Sequence, residues 1–224
     1  MRALLVGNVG DGDPGLVGAR FEHHGYTFER VDRDHPETWP TLDGAELIVL
    51  LGSEWSVYWP DIVEAVEAEA AAIRECVRRD IPIFGICFGS QIAAHALGGR
   101  VYQAAHKEIG WYGVDSAHDA IATGPWMQWH SDVVDVPPGA VQLASSDVGP
   151  QAWHVGRTFC TQFHPEVTGE VVERWVRGGG AGEAAGVGRD PEQLIADTYR
   201  NTDLARPNTD TLVDWFVETF TPNR

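Results

Sequence analysis

The 224-residue sequence contains little cysteine and few basic residues, and each shortage excludes a class of protein. Its three cysteines, an odd number spaced widely along the chain, form neither a disulfide framework nor the spacing of a metal site. We therefore expect no bound metal and a reducing, cytoplasmic setting. Lysine and arginine number 16 against 33 acidic residues, a formal net charge of −17. This balance disfavours nucleic acid and anionic membranes as partners, because both attract basic side chains.

Long apolar runs and nucleotide-binding patterns are also missing. No stretch approaches the roughly 20 uninterrupted apolar residues of a membrane-spanning helix. The short run RALLV near the start is typical of a first strand rather than of a signal peptide. There is no P-loop pattern, and 224 residues leave no room for an ATP-dependent synthetase domain beside an α/β domain. We therefore expect no cofactor.

What the sequence does contain is an alternation of apolar runs with helical periodicity, which predicts an α/β fold. AELIVLLGS, residues 45–53, and IPIFGIC, residues 81–87, are continuous apolar runs, as is typical of strands buried on both faces of a parallel sheet. Helix-like sequence separates them over residues 60–79. This pattern predicts a mostly parallel central sheet with helices on both faces. From about residue 100 to 163 the segments shorten and alternate, which predicts antiparallel strands added to the sheet.

The whole chain, 1–224, is interpreted as a single domain. Residues 178–190, GGGAGEAAGVGRD, are rich in glycine and predict a flexible surface connection. Two helical stretches follow it, PEQLIADTYRN and NTDTLVDWFVETF, and they predict a C-terminal helical extension.

Cys87 lies between Gly85 and Gly89, directly after the second apolar run. Small residues two positions before and after a cysteine indicate a tight turn from a strand into a helix, where larger side chains would clash with the bent backbone. A thiol on such a turn is a candidate nucleophile. A buried structural cysteine is the alternative for Cys87, and it is the interpretation we favour for Cys76 and Cys160.

A second polar motif, QFHPE, follows another predicted strand. His164 and Glu166 are two residues apart, so an extended backbone directs both side chains to the same side. The carboxylate can then orient the imidazole, and an oriented imidazole can take a proton from a thiol. Ligands of such sheets bind at the carboxyl ends of the strands, where Cys87 and His164 are both predicted to lie. A structural histidine beside a carboxylate is the alternative.

The motifs GICFGSQ and QFHPEV together resemble the class I glutamine amidotransferases, the family with a Cys-His-Glu triad. The resemblance runs over about residues 4–175, and KEIGW, WHSDVVDVPPGA and QFHPEVT are most similar to the free-standing, GMP-synthase-like branch. It implies a flavodoxin-like three-layer α/β sandwich. It also implies that Cys87 is the nucleophile, His164 the general base and acid, and Glu166 its orienting partner.

The resemblance further implies an oxyanion hole and a substrate site. One oxyanion donor would be the amide of Phe88, and the other would be the amide of Ser53. The family usually has Gly-Gly-Pro at this turn, whereas this chain has Gly52, Ser53 and Glu54. We expect the productive form of this turn to need a positive φ at Ser53, at a cost of about 1 kcal/mol, so that basal activity is low until substrate or a partner favours that form. The substrate-binding residues implied by the resemblance are Gly52, Gln91, Trp129, His130 and Ser131.

The implied activity is hydrolysis of the γ-amide of glutamine through a thioester on Cys87, with ammonia released for a separate synthetase chain. One alternative is a self-contained hydrolase of other γ-glutamyl compounds, which would release an amine instead of ammonia. The polar turn GSEWS would then line a larger pocket. Another alternative is a catalytically silent binding protein of the same fold, which the intact Cys, His and Glu disfavour.

Overall fold

The computed structural model describes residues 1–221. Its strands are β1 (Arg2–Gly7), β2 (Thr27–Asp32), β3 (Leu47–Leu50), β4 (Ile83–Ile86), β5 (Arg100–Tyr112), β6 (Asp115–Ser116), β7 (Trp126–Asp135), β8 (Val141–Ser145), β9 (Pro150–Val155) and β10 (Thr158–Thr161). Its α-helices are α1 (Gly15–His23), α2 (Val63–Arg78), α3 (Phe88–Ala96), α4 (Gly169–Trp175), α5 (Ala181–Gly186) and α6 (Pro191–Phe220).

Eight strands form the main sheet in the order β2-β1-β3-β4-β10-β9-β8-β6. The pairings from β2 to β10 are parallel, and those from β10 to β6 are antiparallel. The predicted flavodoxin-like α/β fold, a mostly parallel sheet with added antiparallel strands, is therefore confirmed. Successive residues of β3 show why the apolar runs are continuous. Leu47 and Val49 pack in the core beneath α1 and α6, whereas Ile48 and Leu50 pack in the core beneath α2 and α3.

The prediction that the strands after residue 100 all extend the main sheet is wrong for β5 and β7. These two long strands pair with each other as a separate antiparallel sheet. The reason is a third apolar core, in which Ile109 of β5 and Met127 of β7 pack with residues of α4, α5 and α6. The helices bury these apolar side chains, so β5 and β7 are stabilised without pairing with the main sheet.

Helix α6 is continuous from Pro191 to Phe220, where we expected two helical stretches. Pro207 lies inside it and removes one backbone donor. Ala205 and Thr209, on either side of the proline, are both buried. Tertiary packing therefore maintains the helix where the local sequence favours a break.

Residues 178–190 contain more regular structure than a flexible connection suggests. A helical turn over Val176–Gly180 is kinked at Gly179, and α5 follows it directly. Ala184 of α5 is fully buried in the third core. The flexibility of this segment stays a prediction. Among the helices of residues 1–221, none has the length and apolar character needed to cross a membrane.

Candidate active site

Cys87 lies on the turn between β4 and α3 with an unusual backbone conformation, φ 51° and ψ −105°. Within residues 1–221, the only other non-glycine residue with a positive φ is Asp80. Such a conformation costs on the order of 1–3 kcal/mol and persists only where the surrounding structure enforces it. The tight strand-to-helix turn predicted from the sequence is present, and it presents a thiol at the carboxyl end of β4.

The two glycines around Cys87 are required by close backbone contacts. A Cβ atom on Gly89 would lie 2.2 Å from the carbonyl oxygen of Leu50, and one on Gly85 would lie 2.8 Å from the carbonyl oxygen of Gly89. Helix α3 therefore packs directly against β3 and β4 without side chains between them. The start of α3, and with it the amide of Phe88, lies at the carboxyl end of β4.

The segment after β10 carries His164 and Glu166. Their side chains contact each other, as their spacing in the sequence predicts. Nδ1 of His164 lies 2.6 Å from Oε1 of Glu166, and both side chains are 4% exposed. The backbone amide of His164 donates to the carbonyl of Met127, which fixes the segment against β7. Nε2 of His164 is buried and has no hydrogen-bond partner among the described residues. The ring is thus held by its Nδ1 side, and Nε2 is left for a proton transfer.

The structure brings Cys87 beside this pair. A Cβ atom placed on Gly52 would lie 3.7 Å from Cβ of Cys87 and 3.0 Å from Cε1 of His164, so the two residues flank the same glycine. Burial disfavours the imidazolium, but the charges of Glu166 and Cys87 outweigh it, and the pKa of His164 lies well above its ordinary value. A protonated imidazole favours a neighbouring thiolate, the reactive form of a cysteine nucleophile.

The other two cysteines lie in apolar surroundings. Cys76 and Cys160 are 1% and 0% exposed and belong to the core between the sheet and helices α2 and α3. Burial raises the pKa of Cys76 to about 12. Burial raises the pKa of Cys160 as well. Both thiols are therefore protonated at neutral pH, which agrees with their interpretation as small core residues.

The turn after β3 passes next to Cys87 and His164. Ser53 is half-buried, and its Oγ accepts a hydrogen bond from the amide of Trp55 at 3.1 Å. Ser53 has no positive φ, so this form of the turn is without the expected cost, and the low basal activity stays a prediction. The serine hydroxyl caps the turn locally and lets it form without a second glycine.

A buried carboxylate anchors the far end of this turn. Asp132 of β7 accepts hydrogen bonds from Oγ of Ser56 at 2.5 Å and from the hydroxyl of Tyr58 at 2.8 Å. The backbone carbonyl of Asp132 also accepts from Nε2 of Gln91 at 3.3 Å. Ser56, the last residue of the turn GSEWS, was not predicted as a site residue.

Of the residues expected to bind substrate, Gln91 and Trp129 lie close to Cys87. Gln91 is 3% exposed, and its Nε2 also lies 3.5 Å from Oε1 of Gln162. Nε2 of Gln162 in turn donates to the thiol of Cys87. The carbonyl oxygen of Trp129 lies 3.7 Å from the thiol, and its indole donates to Glu183. A substrate-binding role of these residues stays a prediction.

His130 and Ser131 follow Trp129 on β7. Both ring nitrogens of His130 are bonded within the protein, Nδ1 to the carbonyl of Asp132 at 3.0 Å and Nε2 to Glu108 at 2.9 Å. The ring is therefore not free to contact a ligand, and binding by this segment would have to use its main chain. Ser131 is half-buried. In the described part of the chain, no group of three or more His, Cys, Asp or Glu side chains could hold a metal ion.

Comparison with known proteins adds independent information to this geometry. Residues 18–174 match the family model described as glutamine amidotransferase class-I. The GMP synthase [glutamine-hydrolyzing] of Aquifex aeolicus (strain VF5) is 30% identical over 184 residues, which cover 75% of this chain and 33% of that protein. The protein of the same name from Thermosipho melanesiensis is 31% identical over 179 residues, again 75% and 33%. The chain thus spans about a third of the length of these curated relatives.

Solved structures agree over nearly the whole chain. A glutamine amidotransferase from Thermotoga maritima matches with a TM-score of 0.87 at 28% identity, covering 98% of this chain and 99% of that one. A glutamine amidotransferase from Methylobacillus flagellatus matches with a TM-score of 0.80 at 20% identity, covering 97% and 94%. The second likeness concerns the fold alone.

Proposed function

Because this chain belongs to the class I glutamine amidotransferase family, we propose that it hydrolyses the γ-amide of glutamine through a thioester on Cys87. The observation that carries the proposal is the meeting of three groups at Gly52: a thiol on a strained turn, an imidazole with a raised pKa, and a buried carboxylate on its far nitrogen. Each has the property that a cysteine nucleophile, its base and its orienting partner need.

In the proposed reaction the Cys87 thiolate attacks the side-chain carbonyl of glutamine. The protonated Nε2 of His164 then gives its proton to the amide nitrogen, and the C–N bond breaks to release ammonia and leave a γ-glutamyl thioester. His164 next takes a proton from water, which hydrolyses the thioester to glutamate and frees the thiol. Glu166 stabilises the imidazolium throughout, because its carboxylate stays hydrogen-bonded to Nδ1.

The amides of Phe88 and Ser53 are the proposed oxyanion donors. Phe88 is the first residue of α3, so its amide has no acceptor inside the helix and is free for a bound carbonyl oxygen. Ser53 belongs to the turn that runs past Cys87. One such donor contributes about 3 kcal/mol to stabilisation of the transition state in well-studied hydrolases.

We also propose that a separate synthetase chain uses the ammonia. The relatives are named as glutamine-hydrolysing GMP synthases, and this chain matches about a third of their length.

Hydrolysis of larger γ-glutamyl amines is the second candidate. The indole of Trp175 lies 4.9 Å from the His164 ring, and Trp129 lies 5.8 Å from Trp175. Both indoles are half-buried. They form an aromatic wall beside the base that protonates the leaving group, and such a wall suits an amine with an apolar body.

Glutamate release from L-glutamine and from a series of γ-glutamyl amines tests both candidates. Cys87→Ala and His164→Ala should each remove nearly all turnover, and to a similar extent, because residues that act as one unit do not contribute additively. Cys76→Ala is the matched control and should keep wild-type turnover. No glutamate from any of these substrates, or full activity in His164→Ala, would overturn the proposal.

A further inference from the structure

A buried arginine lies beneath the turn that follows β3. Arg33 directly follows β2, and Glu69 lies on α2; their side chains are 0% and 1% exposed. Nε of Arg33 donates to Oε2 of Glu69 at 2.7 Å and Nη2 donates to Oε1 at 3.1 Å, a bidentate ion pair. Burial of a charge pair is often no more stabilising than an apolar pair of the same size. Stability alone therefore does not account for these residues.

The other donors of Arg33 hold the backbone of the turn. Nη2 donates to the carbonyl of Leu51 at 3.0 Å, and Nη1 donates to the carbonyl of Gly52 at 3.1 Å and to Oδ1 of Asn8 at 3.1 Å. All five N–H donors of the guanidinium thus have an acceptor. The guanidinium carbon also lies 4.6 Å over the ring of Phe88. Arg33 is therefore fixed between the turn and the first residue of α3.

The hydrogen bond to Gly52 decides the direction of the next amide. In a planar trans peptide the carbonyl and the N–H point in opposite directions. Because the Gly52 carbonyl points to the buried Arg33, the N–H of Ser53 points to the opposite side of the turn. Gly52 itself lies against Cys87 and His164, so the Gly52–Ser53 peptide borders the candidate site.

We propose that Arg33, held by Glu69, is a positioning residue that keeps the Gly52–Ser53 peptide in the orientation whose N–H faces the carbonyl attacked by Cys87. The inference rests on the proposed function. It also accounts for the serine at position 53. A peptide that is held in one orientation does not have to rotate, so it does not need the backbone freedom of a glycine. Ser53 accordingly has no positive φ. Lysine could not replace Arg33, because it has three donors on a point charge instead of five in a planar fork.

The first test is Arg33→Lys, which keeps the charge and removes the fork. We expect kcat for glutamate release to fall about 100-fold, with KM changed by less than about threefold, because only a transition-state contact is lost. Alkylation of Cys87 by iodoacetamide needs no oxyanion donor, so its rate should stay within about threefold of wild type. Arg20→Lys is the matched control. It removes a bidentate pair with Asp214 on the other face of the sheet and should leave kcat unchanged.

If Arg33→Lys does not fold, Asn8→Ala replaces it. This variant keeps the ion pair and removes one acceptor of Nη1, together with the hydrogen bond from Asn8 to Asp34. We expect a fall in kcat of about tenfold with unchanged alkylation. An unchanged kcat in the folded variant, or equal losses of kcat and alkylation, would overturn the inference. Equal losses would mean that Arg33 supports the whole turn at Cys87.

A wild-type chain that releases no glutamate from any γ-glutamyl substrate would instead remove the proposed function. The crystal structure of the folded variant then decides the inference separately. A Gly52 carbonyl that turns away from its wild-type direction supports the positioning role, and one that keeps its direction overturns it.

Discussion

Replacement of Glu166 by glutamine removes one charge from the centre of the site and almost no volume. In the wild-type chain, burial disfavours the His164 imidazolium, and the charges of Glu166 and Cys87 raise its pKa well above the ordinary value. Glu166→Gln therefore lowers the pKa of His164. The proposed reaction needs the imidazolium to protonate the leaving group, so the variant should be slower, and it should lose activity at lower pH than the wild type.

The size of the effect follows from the contact that is changed. The bond between Nδ1 of His164 and Oε1 of Glu166 is 2.6 Å long, and both side chains are 4% exposed. A hydrogen bond to a charged group contributes about 1.5–3 kcal/mol. With about 1.4 kcal/mol per factor of ten, kcat should fall about 10- to 150-fold. The amide oxygen of glutamine still accepts from Nδ1, so the loss should be smaller than in His164→Ala.

Steady-state glutamate release across a pH series measures this prediction. The raised pKa of His164 decides how turnover changes with pH. His164 is protonated below its pKa in the folded protein and loses the proton as pH rises through that value. Turnover should therefore fall on the alkaline side. In Glu166→Gln that fall should move to lower pH. Glu170→Gln, the same change at an exposed residue of α4, is the control and should leave the profile in place. An alkaline side that does not move, with kcat unchanged, would refute the role of Glu166.

Three further predictions use other contacts. Because burial raises the pKa of Cys76 to about 12 and raises that of Cys160, iodoacetamide at neutral pH should label Cys87 alone. Mass spectrometry locates the label, and a label on either buried thiol would contradict the assignment. Ser53→Gly should keep kcat within about twofold of wild type, since there is no positive φ to relieve; a tenfold gain would show hidden strain. Gly89→Ala should lower the free energy of unfolding in urea by about 1–3 kcal/mol, because its Cβ would meet the Leu50 carbonyl. Gly182→Ala, which has open space around its Cβ, is the control, and equal midpoints for the two variants would count against this reasoning.

The sequence by itself determined the features that depend on neighbours a few residues apart. Gly85 and Gly89 predict the turn at Cys87, because the steric demand of a strand-to-helix turn acts within two residues on each side. The spacing of His164 and Glu166 predicts their contact, because side chains alternate along an extended backbone. Continuous apolar runs predict the parallel strands for the same local reason, since both faces of each strand are buried.

Only the tertiary structure decided which of these local features meet. Cys87 and His164 are brought together by the pairing of β4 with β10, which no short-range pattern contains. Arg33 follows β2 and has no motif around it, yet packing of α2 against the sheet places Glu69 and the turn at Gly52 around its guanidinium. Packing in the third core likewise decided that β5 and β7 form a separate sheet. Long-range contacts form where buried surfaces and polar groups of distant segments fit one another, and that fit is a property of the whole packed chain.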